Sequence, residues 1–151
     1  MHKIYIYLVL IICLGFPIQS VYSQDINLKN NLNSTNTIKV EIIVLNEIEK
    51  GIKESDISTL NEYFSSQPYL SLLNGVNGYY STNQVYYILE EFFENFKVVS
   101  FNFENKKFED NVVYGTGIYY YESKGKRESA YLYVTLNKVG NEWKISQISI
   151  N

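Results

Sequence analysis

The side chains of this chain best placed to do chemistry are its carboxylates and its tyrosines. The stretch GIYYYESKGKRESAYLYV, residues 117–134, sets five tyrosines around one short charged turn. A carboxylate base beside a tyrosine that donates to a developing oxyanion is enough to move a proton next to a carbonyl, with no metal or cofactor. That chemistry needs an Asp or Glu aimed into an apolar pocket. The strand acids Glu104, Glu122, Glu128 and Glu142 all read as lying at or next to turns. The helix acids Glu90, Glu91 and Glu94 fall mostly beside an apolar stripe, and Asp56 is better used as a helix cap. No acid occupies an alternating apolar position of a strand. Solvated surface acids are therefore expected, no catalytic residue is assigned, and a non-enzymatic domain is the expectation.

Nucleophiles and metal ligands are scarcer still. Cys13 and His2 are the only residues of their types, and both lie in MHKIYIYLVLIICLGFPIQSVYSQ. Its basic start at Lys3, apolar run from Ile4 to Phe16 and small residues near Ser23 describe a secretory signal peptide, residues 1–23. The run is too short for a helix that needs about 20 apolar residues to cross a bilayer, and Pro17 ends it. Ile12 before Cys13 is not the small residue a lipoprotein signal would carry. Cleavage after Ser23 and export to the periplasm or beyond are expected, with membrane contact only through this leader. The mature chain then has no disulfide, thiolate, imidazole or cysteine-held metal, and neither a metal site nor a cofactor is expected. The chain carries 13 Lys+Arg against 16 Asp+Glu, formally −3; loss of Lys3 makes that −4. Without a basic cluster, nucleic-acid binding is not expected.

These residues are positioned by one domain. Residues 24–37 are Asn-rich and without apolar periodicity, so they read as a flexible leader to a single α+β domain, 38–151. Ile42, Leu45, Ile48 and Ile52 recur at helical steps, with Glu41 elsewhere around the helix. Asp56 caps a second, short helix that turns Ile57, Leu60 and Phe64 inward until Pro68 interrupts, and YLSLL follows as a short strand. Ser81 with Gln84 three residues on forms a capping box for a long helix striped by Val85, Ile88, Leu89, Phe92 and Phe96. Then come four strands, VVSFNF, VVYGTGIYYY, SAYLYVTLNKV and EWKISQISI, with ENKKFEDN, ESKGKRE and a tight Gly140-Asn141 turn between them. Gly115-Thr116-Gly117 lacks the Lys-Ser/Thr of a phosphate loop and sits inside a strand, so it reads as a bend. Trp143, just after a hairpin turn, reads as packing.

With Gly125 at the middle of its turn, Tyr119 would face Tyr131, Ile118 would face Leu132 and Tyr120 would face Ala130. Alternation then puts Ile118, Tyr120, Ala130, Leu132 and Val134 on a core face. Tyr119, Tyr121, Tyr131 and Tyr133 become an outer plate. Such a plate can simply stabilise an exposed sheet face, serve a homodimer or protein partner, or stack a sugar.

The order of helices and strands resembles the nuclear-transport-factor-two-like, or cystatin-like, cone fold. The segment GYYSTNQVYYILEEFF is similar to the YS-x-x-Q-x-x-x-I-L-x-x-F-F pattern of a bacterial secreted family, domain-of-unknown-function family 4783. Tyr80, Ser81, Gln84, Ile88, Leu89, Phe92 and Phe93 carry the match, supported by Gly51, Leu60, the Gly115-Thr116 pair and the closing W-x-I-x-Q-I-x-I. The resemblance implies N-terminal helices packed on a curved antiparallel sheet, in a small exported protein of Gram-negative bacteria with no assigned activity. The cone it implies would be lined by Phe92, Tyr114, Tyr120 and Leu132. An exported domain binding a ligand or partner follows, with a cofactor-free enzyme or carrier of apolar ligands in the cone as the alternative.

Overall fold

The computed structural model describes residues 40–151; the expected signal peptide and the Asn-rich segment lie outside the described residues. Helix α1, 40–54, buries Leu45, Ile48 and Ile52 as their spacing predicts. Its first turn departs from expectation. Glu41, one turn before Leu45 and so on the same face, is buried, while Ile42 stands in solvent. Gly51 brings α2 (Ile57–Tyr63) close, because a Cβ there would sit 2.9 Å from the Leu60 side chain. Asp56 caps α2 as expected, accepting from the Thr59 amide at 3.1 Å and from its hydroxyl at 2.6 Å. The helix stops at Tyr63, earlier than the sequence suggests, and Phe64 opens strand β1 (Phe64–Ser71). Pro68 is tolerated there because β1 and β6 (Glu142–Ile150) lose register between Phe64 and Tyr69, where no ladder amide is needed.

After the short strand β2 (Asn77–Tyr79), helix α3 (Thr82–Asn95) begins as predicted. Gln84 folds back so that its Oε1 accepts from the Ser81 amide and hydroxyl, each at 2.9 Å. Val85, Leu89, Phe92 and Phe93 face the core. Strands β3 (Lys97–Phe108), β4 (Val112–Ser123), β5 (Lys126–Val139) and β6 then run as a meander, giving the sheet order β2-β1-β6-β5-β4-β3. The α+β class is as the sequence implies. The sheet is mixed, however, because β1 pairs parallel with β6.

Two local expectations are corrected by pairing. The polar run Glu104–Lys107 is not a connection, and Glu104 is not at a turn. Strand β3 continues to Phe108, with Val99 and Glu104 each an extra residue opposite β4. As the edge strand it meets only one neighbour, which is why polar residues are compatible with it. The second correction is the hairpin. Its turn is only Lys124-Gly125, both at positive φ, so Ser123 faces Lys126 and Tyr119 faces Ala130. That is one residue away from the expected register, and a slip of one exchanges the faces of β4.

The glycines of β4 serve close approach. A Cβ on Gly117 would lie 2.0 Å from the Asn102 carbonyl oxygen, and one on Gly115 would lie 2.7 Å from the Phe103 ring. Where β3 bulges, the Phe103 amide is taken up by a side chain of α1, donating to Glu49 Oε2 at 3.0 Å. Lys53 also bonds Glu49, at 2.8 Å, and Lys106 stands 3.7 Å away. Burial alone would raise the Glu49 pKa. The bonds from Lys53 and the Phe103 amide, with both lysine charges, outweigh it and hold the carboxyl below the usual carboxylate range. A folded-state pKa below the unfolded one stabilises above the unfolded value and is lost as pH falls through the folded value. The stability difference between the parent and Glu49→Gln, measured by urea unfolding across pH, should therefore be full at neutrality and shrink below about pH 4.

Candidate partner-binding surface

The two faces of the β4–β5 hairpin now carry different rings. Inward from β4 point Val113, Gly115, Gly117, Tyr119 and Tyr121, and inward from β5 point Ala130, Leu132, Val134 and Leu136. Tyr119 is fully buried. Its ring stacks on Tyr121 at 5.7 Å and tilts against Phe92 at 6.2 Å, and its hydroxyl donates to the Phe96 carbonyl at 2.6 Å. Burial, and secondarily Tyr121, push the Tyr119 pKa well above the usual tyrosine range. Tyr121 packs edge-on to Phe96 and donates to Glu128 Oε2 at 3.0 Å; burial first, then Glu128, raises its pKa as well.

Of the four residues expected to line a cone, Phe92 and Leu132 do lie on the inner side, each closely packed. Tyr114 and Tyr120 do not: the shorter turn puts both on the opposite face of β4. Of the four expected on the outer plate, Tyr131 and Tyr133 are there, whereas Tyr119 and Tyr121 fill the inner side. Trp143 is buried, as its packing role requires.

Among the described residues no carboxylate is aimed with a tyrosine into an enclosed apolar pocket. Tyr121 has Glu128 beside it, but that carboxylate is exposed. Among the described residues the buried carboxylate is Glu41, at 3% exposure, although the helical pattern predicts it outside. Its pKa is raised by burial and partly restored by Lys138. Lys138 stands ten residues along β5 from Glu128, roughly 33 Å at the rise of a strand, so Glu41 and Tyr121 do not converge. Among the described residues no group of three His, Cys, Asp or Glu side chains is placed to hold a metal, and no helix is long and apolar enough to cross a membrane.

Among the described residues, nothing packs over the outer face of β3–β5. Its cross-strand rows read Lys107–Tyr114–Thr135, Asn105–Thr116–Tyr133, Asn102–Ile118–Tyr131 and Ser100–Tyr120–Ser129. Tyr131 is 76% exposed and Tyr120 is 47% exposed. Tyr114 and Tyr133 stack diagonally across the strands at 5.9 Å. Charges cluster at the two ends, at Lys107 and Glu109 and in the Lys97–Glu122–Arg127 row, with Glu104 exposed in the β3 bulge between them. Two grooves cut this face. One of about 410 Å³ is lined by Val99, Ser100, Tyr120, Arg127 and Ser129 and reaches the Tyr121–Glu128 pair. The other, of about 600 Å³, lies at the Tyr114–Tyr133 end.

Comparison with known proteins places the fold. The family model described as Domain of unknown function (DUF4783) matches residues 45–151. A DUF4783 family protein from Bacteroides uniformis superposes with a TM-score of 0.64 at 24% identity, covering 70% of this chain and 94% of that one. One from Bacteroides ovatus gives 0.61 at 21% identity, covering 69% and 90%. A putative SnoaL-like polyketide cyclase from Shewanella denitrificans gives 0.59 at 18% identity, covering 74% and 88%. No curated protein matches the chain.

Proposed function

This chain belongs to the domain-of-unknown-function family DUF4783, and from that footing we propose that it is an exported, non-enzymatic binding domain whose working surface is the outer face of its sheet. Export is supported by the leader at residues 1–23. One observation carries the binding role: a broad face of tyrosine, serine, threonine and asparagine, with Ile118 in its middle and its charges mostly at its ends, Glu104 in the β3 bulge apart. Cores of protein interfaces are enriched in tyrosine and depleted of charge in the same way. The polyketide-cyclase neighbour lends this chain its fold and no reaction, since function resides in sites grafted onto folds. A second copy of the chain is the occupant proposed for the centre of the face, where Tyr120 and Tyr131 offer the most exposed rings.

Static light scattering of the mature protein over a wide concentration range tests this. A dimer at high concentration that Tyr131→Glu converts to monomer is the expected result, because a charge at the centre of a dry interface would be stranded. A parent protein that stays monomeric at every concentration would sink the self-association.

A further inference from the structure

We propose that the groove at the Tyr114 end of the outer face is a binding site for a neutral carbohydrate. Its walls are the stacked rings of Tyr114 and Tyr133, and its polar groups are Asn105, Lys106, Lys107, Glu109 and Thr116. Strand pairing interleaves them: Thr116 lies between Asn105 and Tyr133, and Lys107 lies opposite Tyr114. A sugar ring has an apolar face of C–H groups and a rim of hydroxyls that both donate and accept. The tyrosine rings suit the face. An amide, a threonine hydroxyl, an ammonium and a carboxylate suit the rim, since together they supply donors and acceptors.

Charge narrows the class. Lys107 and Glu109 are paired at 2.7 Å, and Lys106 turns toward α1, bonding Asn46 at 3.1 Å near Glu49. The groove's charges are thus answered locally. An anionic ligand would meet Glu109, a cationic one would meet Lys107, and a wholly apolar one would leave the polar rim unpaired. A volume of about 600 Å³ lies within the ordinary range of small-ligand sites, roughly 300–1,000 Å³.

The site goes beyond the partner role. Tyr114 is six residues, roughly 20 Å, from Tyr120 on β4, while Tyr133 is two residues, about 7 Å, from Tyr131 on β5, so the groove adjoins the surface proposed for a second copy and extends away from it. The test titrates mature protein carrying ¹³C-labelled tyrosine with maltohexaose, cellohexaose, laminarihexaose and xylohexaose, and with an acidic hexagalacturonate. At least one neutral hexaose should shift the Tyr114 and Tyr133 ring resonances and leave Tyr119 unmoved. Tyr133→Ala should weaken that binding about tenfold while preserving the Tyr119 signal, which reports an intact fold. No shift with any neutral hexaose at millimolar concentration would overturn the proposal. So would shifts that survive Tyr133→Ala, that centre on Tyr120, or that are stronger with hexagalacturonate. Light scattering on the same samples separates the two ideas. A dimer without sugar shifts overturns only the carbohydrate site, and a monomer with them overturns only self-association.

Discussion

Gly117→Ala is expected to destabilise the domain by about 3 kcal/mol or more, a large share of the roughly 5–15 kcal/mol by which domains are stable. The added Cβ would fall 2.0 Å from the Asn102 carbonyl oxygen, and the obstacle is backbone rather than a side chain that could swing away. Relief would require β3 to move off β4, breaking ladder bonds beside the Glu104 bulge and pulling Phe101 and Phe103 from the core. Thr116→Ala, next door but on the outer face, should change stability by no more than about 0.5 kcal/mol. Urea unfolding midpoints of the two variants check this. A Gly117→Ala protein within about 1 kcal/mol of the parent would mean that β3 and β4 are not packed as described.

The second large effect separates neighbouring tyrosines. Tyr119→Ala should cost about 3–5 kcal/mol, since it empties a fully buried site packed against Phe92 and Tyr121. Tyr119→Phe keeps the ring but removes the donor to the Phe96 carbonyl, and should cost about 1–3 kcal/mol. Tyr120→Ala, on the half-exposed outer face, should cost less than about 1 kcal/mol. Chemical denaturation orders the three variants, and a Tyr120→Ala cost equal to that of Tyr119→Ala would contradict the register. The same burial has a pH signature. Because the folded-state pKa of Tyr119 is raised above its unfolded value, its contribution is complete below about pH 10 and fades as pH climbs toward the folded value. Alkaline unfolding should accordingly begin later in Tyr119→Phe, measured relative to that variant's own neutral stability.

What could be read from the sequence follows the range of the forces involved. Helix α3 was legible because its start is written within four residues, Ser81 to Gln84, and its stripe within three turns. The inner face of β5 was legible too, since Ala130, Leu132, Val134 and Leu136 alternate with more polar neighbours. On β4 the tyrosines occupy both parities, 119 and 121 against 114 and 120, so alternation there cannot tell inside from outside. The face then hung on turn length alone. Assigning a three-residue turn where Lys124-Gly125 makes a two-residue one reversed Tyr119 and Tyr120. The bulges of β3 and the parallel β1–β6 pair are set by partners far away in sequence, which no local pattern records. Glu41 was misplaced for a simpler reason: the periodicity that buries Leu45 applies equally to a charged residue one turn earlier.

The tyrosines divide by face: Tyr119 and Tyr121 seal the interior, and Tyr120 and Tyr131 carry the proposed docking surface. Nitration of the mature protein with tetranitromethane, mapped by peptide mass spectrometry at several protein concentrations, tests both halves at once. Tyr120 and Tyr131 should label readily in dilute protein and progressively less as concentration rises, with Tyr119 and Tyr121 protected throughout. Labelling of Tyr119 as fast as Tyr120, or labelling of Tyr131 that ignores concentration, would contradict the account.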